Sequence, residues 1–141
     1  MLQTTTPANA LTASVGHLAE THIVENQPPA LRDTNLYAQD AALQEAVVRE
    51  GASWAQSDLQ TFGQLAGSAD MIELGFQANE NKPVLYTHDN YGHRRDEVRF
   101  HPAYHQLMKA SLEHGLHASH WRAPQAGAHV ARAAKFYMMA Q

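Results

Sequence analysis

Residues 57–77, SDLQTFGQLAGSADMIELGFQ, contain two helix patterns in succession and indicate a predominantly helical protein. SDLQ at 57–60 has the capping-box order, in which Ser57 begins a helix and a Glu or Gln follows three residues later. Apolar residues then recur at helical spacing until Gly67, and DMIE at 70–73 repeats the capping order. The two patterns predict helices over residues 58–66 and 71–79.

Similar signals on both sides of this pair predict two more helices. Asp40 is a suitable N-cap for a helix that Gly51 ends. His101 stands where an N-cap residue belongs, Pro102 suits the first helical position, and Gly115 suits the end. These signals predict helices over residues 41–50 and 102–114.

Residues 129–141, HVARAAKFYMMAQ, also have helical periodicity. We assign the solvent face to His129, Arg132 and Lys135. The buried face is predicted to be the apolar stripe of Val130, Ala133, Ala134, Tyr137, Met138 and Gln141. No Gly, Asn or Pro closes the pattern, so we predict a helix over 127–141 and expect the sequence to be truncated inside it.

The segment KPVLYTHDNYGHRRDEVRF (82–100) has a different pattern. Two strand-like runs, at 84–88 and 94–100, flank DNYG, in which Asn90 and Gly92 can take the positive φ of a turn. The segment therefore predicts a small β-hairpin. With the predicted helices, it gives an all-α domain of about five helices and one hairpin.

The remaining composition defines the limits of this domain. Residues 1–20 are rich in Thr and Ala without periodicity, which predicts a disordered arm before a helical domain over 21–141. Arg32 is the first basic residue, so the basic region of a secretory signal is missing. No apolar run approaches the roughly 20 residues of a membrane span. We expect a soluble, cytoplasmic protein with no membrane partner.

The net charge of −4 is unevenly distributed along the chain. Residues 1–81 contain ten acidic residues against Arg32 and Arg49, whereas residues 82–141 contain eight Lys and Arg against four acidic residues. The basic residues are interleaved with acids, and DNA phosphates require clustered cations. We therefore expect the two halves to attract each other or to contact neighbouring domains.

Ten His residues raise the question of a metal site. His101 and His105 have the i,i+4 spacing of chelating residues, but Pro102 replaces the Glu of the zincin pattern. His114, His117 and His120 are spaced by three, but Gly115 interrupts the helix that would align them. We favour structural roles for these residues and predict no metal site.

Residue patterns typical of enzymes are absent from the sequence. It contains no Gly-x-Ser-x-Gly elbow, no Gly-x-Gly-x-x-Gly and no Walker loop, and it has no Cys. Asp96 and Glu97 stand among three Arg residues, which indicates a solvated, ion-paired hairpin face. Trp54 and Trp121 are expected to be core or interface anchors. No catalytic, cofactor-binding or metal-binding residue is predicted.

Three motifs together resemble one known family. They are THIVENQPPALRDTNLYAQDAALQEAVVREGASW, DNYGHRRDEVRFHPAYHQLM and GAHVARAAKFYMMAQ, and they occur in the order found in the amino-terminal region of AidB proteins. These proteins form the alkylation-response branch of the acyl-CoA dehydrogenase family. The resemblance extends from Thr21 to Gln141.

The resemblance implies an amino-terminal helical domain that precedes a middle β-domain and a carboxy-terminal helical bundle. In such a parent, FAD lies between the latter two domains, the catalytic carboxylate comes from the last one, and DNA is bound through the carboxy-terminal region. The parent would be an FAD-dependent, acyl-CoA dehydrogenase-type homotetramer with a role in the alkylation response. Residues 1–141 would bind no FAD alone and would contribute a wall of the acyl-CoA cavity and oligomer contacts.

Two alternatives remain open from the sequence. One is a stand-alone helical protein-interaction domain, and the other is a His-rich metal-binding protein. The first predicts a reading frame that ends at Gln141, and the second predicts stoichiometric uptake of Zn or Ni.

Overall fold

The computed structural model describes residue 28 and residues 31–141, so the predicted arm over 1–20 lies outside the described residues. The described residues form seven α-helices, one short 3₁₀ helix and one two-stranded antiparallel sheet. In chain order the elements are α1 Leu36–Gln39, α2 Ala41–Arg49, the 3₁₀ helix Ser53–Ala55, α3 Gln56–Ala66, α4 Ala69–Glu80, β1 Val84–His88, β2 Arg94–Arg99, α5 Pro102–Glu113, α6 Ser119–Arg122 and α7 Ala128–Met139.

The prediction of an all-α fold with one hairpin is confirmed, and each of the five predicted helices is present. The number of helices was underestimated, because α1 and α6 each have four residues. Helices of one turn are too short to show a 3.6-residue repeat, and they form only where neighbouring structure holds them. The segment predicted as a connection between α5 and α7 contains one of these short helices, α6.

The predicted caps were correct at two of four helices. The Asp40 carboxylate accepts the Leu43 N–H at 2.8 Å, and the His101 ring accepts the Ala103 N–H at 3.3 Å. Ser57 is not a cap, because the 3₁₀ helix continues directly into α3. The carbonyl groups of the 3₁₀ helix serve as partners for the first N–H groups of α3. For α4 the cap is Ser68, two residues before the position that DMIE suggested.

The hairpin has the predicted position, with a bulge that the sequence did not indicate. Leu85 pairs with Val98 and Tyr86 with Glu97, and the register then shifts before His88. Gly92 has the expected positive φ of 82°. The second positive φ belongs to Asp96 at 49°, and not to Asn90 as predicted, because the bulge lies in β2.

The core lies where α3 and α7 meet α1 and α2. Its largest fully buried side chains are Tyr37, Val47, Leu59, Phe62 and Met138. Tyr37 comes from α1, Val47 from α2 and Met138 from α7, so each helix contributes to one cluster around α3. Burial of such side chains is worth roughly 1.5–3 kcal/mol each, which makes this cluster the main source of stability.

Helix α1 lies directly on α3 because Gly63 has no side chain. A Cβ at Gly63 would lie 2.7 Å from the Tyr37 nitrogen and 2.6 Å from the Asn35 side-chain oxygen. That oxygen accepts the Tyr37 and Ala38 N–H groups, and the Asn35 amide donates to the Gln60 carbonyl at 2.9 Å. One side chain therefore both caps α1 and attaches it to α3.

The buried face of α7 differs from the predicted stripe. Tyr137 was expected inside but is 49% exposed, with its hydroxyl donating to Asp40 at 3.1 Å. Lys135 was expected on the solvent face but is only 6% exposed. The residues of α7 that are buried are Ala128, Ala131, Ala134, Lys135 and Met138. The small Ala side chains allow α7 to approach α3 closely, and this approach turns Lys135 inward.

The buried ammonium group of Lys135 has partners on two other elements. It donates to the His114 carbonyl at 2.9 Å, just after α5, and forms an ion pair with Asp58 of α3 at 2.6 Å. It also lies 5.7 Å from the centre of the Phe62 ring. Because Asp58 belongs to the acidic half of the sequence, this pair supports the expected attraction between the halves.

We expect Lys135→Met to lower the free energy of unfolding by about 1–3 kcal/mol, because the His114 carbonyl loses its donor. Asp58→Asn retains an oxygen acceptor but removes the counter-charge of an ammonium group whose side chain is only 7% exposed, so we expect it to destabilise the domain as well. Urea unfolding followed by circular dichroism measures both variants. Equal stability of Lys135→Met and the wild type would contradict the assigned role.

Two helical glycines provide a second test of the packing. We expect Gly63→Ala to destabilise the domain by about 1–3 kcal/mol, because its Cβ would collide with the backbone of α1. Gly75 in α4 has no other atom within 4 Å of an added Cβ. We expect Gly75→Ala to stabilise the domain by about 0.5–1 kcal/mol. Thermal unfolding of both variants checks the opposite signs.

Candidate functional site

An apolar groove of about 480 Å³ lies between α4, α5 and the end of α7. The residues lining it are Ala66, Met71, Ile72, Gly75, Phe76, Asn79, Leu107, Met138, Met139, Ala140 and Gln141. None of their side chains carries a charge, and only Asn79 and Gln141 have polar side chains. A concave, uncharged surface of this kind binds an apolar partner surface or an apolar ligand.

The groove exists because α4 presents different side-chain sizes at successive turns. Gly75 leaves its floor open, since nothing lies within 4 Å of its Cβ direction. The neighbouring Phe76 is 56% exposed at the groove, whereas Met71, one turn earlier, is buried. Helices α4 and α5 pack against each other, so Leu107 closes one side.

A second hollow, of about 350 Å³, lies on one face of the hairpin. It contains the cations Arg95 and Arg99 and the carboxylates Asp89 and Glu97. Arg99 forms a two-point pair with Glu97 at 3.0 and 3.1 Å and lies 4.4 Å over the Tyr86 ring. Because Glu97 balances its charge, Arg99 adds no net positive charge to the hollow. The hydrogen bond from Arg99 lowers the pKa of Glu97.

The prediction of an ion-paired hairpin face is confirmed. Arg94 pairs with Asp96, and Arg99 pairs with Glu97, each along the same strand. Asp89 is the third carboxylate of the hairpin and accepts the Tyr91 and His93 N–H groups. These hydrogen bonds lower the pKa of Asp89. The charges of the hairpin are therefore largely neutralised within it.

The His residues considered as metal ligands have separate surroundings. His101 caps α5, and the His105 ring packs edge-on against Tyr104 at 5.5 Å. Of the other three, His114 packs on Phe62 at 5.2 Å, while His117 is exposed. Within residues 31–141, no three His, Asp or Glu side chains are close enough to hold a metal ion together.

The burial of His120 beside His129 is the feature of a titratable residue that the sequence did not indicate. His120 is buried, its Nδ1 has no hydrogen-bond partner in the described part of the chain, and its ring lies 4.3 Å from the His129 ring. Burial, and then the charges of His129 and Arg132, hold the pKa of His120 below its ordinary value. No local signal indicates this pair, because His129 comes from α7.

The two Trp residues are not core residues. Trp54 is half-exposed and its indole N–H donates to the Ala126 carbonyl at 2.9 Å, which ties the 3₁₀ helix to the loop before α7. Trp121 is largely exposed beside His120. The core alternative of the expectation was wrong for both, and a role as interface anchors stays a prediction. Each Trp lies within a very short helix, and the sequence pattern does not define how such a helix is oriented.

Comparison with known proteins identifies the domain that contains this groove. The family described as Adaptive response protein AidB N-terminal domain matches residues 26–141. The chain belongs to this family. The resemblance predicted from the three motifs is thereby confirmed.

One curated relative of this AidB N-terminal domain is "Putative acyl-CoA dehydrogenase AidB" of Escherichia coli (strain K12). The two are 49% identical over 123 residues, which cover 86% of this chain and 23% of the relative. The chain thus spans about a quarter of the length of that relative. No helix among the described residues is long and apolar enough to cross a membrane.

Solved structures with the same fold include Caenorhabditis elegans ACDH-11 in complex with C11-CoA. The TM-score is 0.67 and the identity 21%, over 90% of this chain and 23% of that one. Bd2924 in its apo-form gives a TM-score of 0.68 and 26% identity, over 77% of this chain and 22% of that one. The AidB N-terminal domain therefore shares its helical architecture with the corresponding part of larger proteins.

We expect the stability of the domain to decrease as the pH falls below about 6.5, the ordinary pKa of His. Because the folded-state pKa of His120 is lowered, the unfolded chain binds a proton that the folded chain excludes. His120→Phe should make the decrease shallower, whereas His117→Gln at an exposed position should not. Urea unfolding from pH 8 to pH 5 measures the slopes. An unchanged slope in His120→Phe would contradict this interpretation.

Proposed function

We propose that this chain is the amino-terminal domain of an FAD-dependent, acyl-CoA dehydrogenase-type flavoprotein, and that its apolar groove receives the remaining domains. The observation that carries the proposal is the uncharged groove, in a domain spanning about a quarter of its E. coli relative. A surface with half-exposed Phe76 and no charge is suited to an apolar interface.

We propose that neither the groove nor the hairpin hollow binds FAD. The groove has no Lys or Arg to bind a pyrophosphate, and dinucleotide sites need such cations or clustered backbone N–H groups. The hairpin hollow has Arg95 and Arg99, but Asp89 and Glu97 would repel phosphate. In this proposal the flavin contacts come from other domains, and residues 31–141 provide a supporting wall.

Covering the groove would stabilise the assembled protein. At about 25 cal/mol per Å² of apolar surface, burial of the exposed part of Phe76 and its neighbours contributes on the order of 1–3 kcal/mol. Met138 and Ala134, by contrast, are already buried within this chain. The energy of domain docking therefore comes from the α4 side of the groove, and less from the face of α7.

The proposal extends to the substrate and the partners of the full-length parent. The named relative is an acyl-CoA dehydrogenase-type protein, and ACDH-11 was solved with an acyl-CoA. We propose an acyl-CoA-like substrate, a cavity to which this domain contributes one wall, and a homotetramer with contacts through this domain. We also propose that the parent has a role in the alkylation response and lies in the cytoplasm. In this proposal, any DNA binding occurs only through the carboxy-terminal region.

A chimera tests the proposal. This chain replaces the matching first quarter of E. coli AidB, with which it is 49% identical. We expect the chimera to purify with yellow flavin and the 141-residue chain alone to purify colourless. Flavin absorbance per polypeptide is the measurement. Stoichiometric flavin on the chain alone would contradict the proposal.

Matched variants of the chimera test the groove. We expect Phe76→Lys to reduce flavin retention, because a buried unpaired charge opposes docking of the other domains. Phe136→Lys is the control, since Phe136 is also a half-exposed helical Phe but lies outside the groove. Equal flavin retention in the two variants would contradict the groove as the docking surface.

A further inference from the structure

The connection between α5 and α7 is attached to the rest of the domain at each end. Before it, Leu116 is buried in the core, and its carbonyl accepts a hydrogen bond from the Arg132 side chain of α7. After it, the Ala126 carbonyl accepts the indole N–H of Trp54 at 2.9 Å. We refer to residues 117–125, between these two attachments, as the α6 segment.

One side chain holds the α6 segment between its two ends. The structure describes all of residues 117–125, and His120 is the only buried residue among them, with 6% exposure. Its ring lies 4.3 Å from the His129 ring of α7. The backbone N–H groups of residues 119 and 121–123 donate only to carbonyls within residues 115–119. The segment can therefore leave α7 without breaking these hydrogen bonds, once His120 is released.

The position of His120 fits a neutral imidazole and not a protonated one. Its Nδ1 is buried and has no hydrogen-bond partner in the described part of the chain. A neutral ring can leave Nδ1 as a bare acceptor, but both ring nitrogens of an imidazolium carry N–H donors. A buried donor without an acceptor, on a charged ring, is costly. Because the atom is buried, no further domain can reach it either unless the segment moves.

The basic groups around His120 also oppose its protonation. Helix α7 contributes the His129 ring and the guanidinium of Arg132, which the Leu116 carbonyl holds in place. Helix α6 itself contributes Arg122, which is exposed. Burial first, and then the charges of His129 and Arg132, lower the pKa of His120. The surroundings therefore favour the neutral ring while the segment is closed.

The carboxylate near the α6 segment does not offset these charges. A hollow of about 140 Å³ is lined by Ser119, Ala123 and Gln125 of the segment, and also by Asp58 of α3 and Lys135 of α7. Asp58 and Lys135 pair with each other at 2.6 Å. Asp58 is therefore already engaged by a cation and is not free to stabilise a protonated His120.

We propose that the α6 segment opens away from α7 when His120 takes up a proton, and closes again when the proton leaves. The open arrangement hydrates His120 and restores its ordinary pKa of 6.5, so it binds a proton that the closed arrangement excludes. A fall in pH below about 6.5 therefore favours opening. Opening also removes one wall of the hollow, so water reaches Lys135. This device is independent of the proposed function, because it does not involve the groove at Phe76.

Amide hydrogen exchange of the 141-residue chain, resolved by NMR, tests the opening. The N–H groups of Trp121, Arg122 and Ala123 report on the segment, since each is hydrogen-bonded within it or to Ala118. We expect their protection, corrected for the intrinsic effect of pH on exchange, to fall several-fold, and at most about tenfold, between about pH 7.5 and about pH 5.5. Their protection should also stay below that of the α3 amides, because the opening is local.

Two outcomes of this experiment overturn the proposal. One is equal corrected protection of the segment at the two pH values, which means that His120 is not released. The other is protection of the segment equal to that of α3, which means that the segment opens only when the whole domain unfolds.

Substitutions assign the effect to His120. His120→Phe keeps a ring against His129 but binds no proton, and we expect its segment protection to be the same at both pH values. His120→Gln provides a second residue without a titratable group, in case Phe disturbs the fold. His117→Gln is the matched control, because His117 is an exposed His of the same segment, and it should keep the pH dependence of the wild type. A pH dependence that persists in both His120 variants, or that disappears in His117→Gln, overturns the proposal.

Discussion

The ammonium group of Lys135 lies at the junction of three helices, and their arrangement depends on how it is satisfied. It binds the His114 carbonyl just after α5 and the Asp58 carboxylate on α3, while its stem is buried along α7. A carbonyl at a helix end has no partner within its own helix, and a cation there also interacts favourably with the helix dipole. A buried charge is costly unless it is paired, so α3, α5 and α7 must keep this geometry together.

Around this junction the domain has two kinds of surface. The side where α1, α2, α3 and α7 meet is closed, with Phe62, Leu59 and Met138 fully buried. The α4 side and the hairpin are open, with Phe76, Leu85 and Val98 half-exposed. The domain thus combines a closed core with exposed apolar side chains on its α4 side and its hairpin. This division agrees with a domain that spans about a quarter of its relatives.

Polar and titratable groups have structural roles throughout the described chain. His101 caps α5, and the Asn35 amide attaches α1 to α3. In the hairpin, Asp96 and Glu97 pair with arginines. Three buried polar atoms have no hydrogen-bond partner among the described residues, namely Thr34 Oγ1, the Tyr37 hydroxyl and His120 Nδ1. Burial, and then the charges of His129 and Arg132, lower the pKa of His120 and so disfavour its protonated form. The polar groups of the chain therefore support its packing, and we propose the groove as its site of association.

The sequence by itself determined the five longer helices, the hairpin, two of the caps and the family, because capping residues, periodicity and motif order are local properties. Only the tertiary structure decided that Lys135 points inward, that Tyr137 points outward and that His120 meets His129. Periodicity identifies an amphipathic helix but not the rotation that its neighbours impose. The groove likewise depends on Gly75, Leu107 and Met139, which three separate helices bring together. Such sites are created by packing between distant segments, and no local pattern encodes that packing.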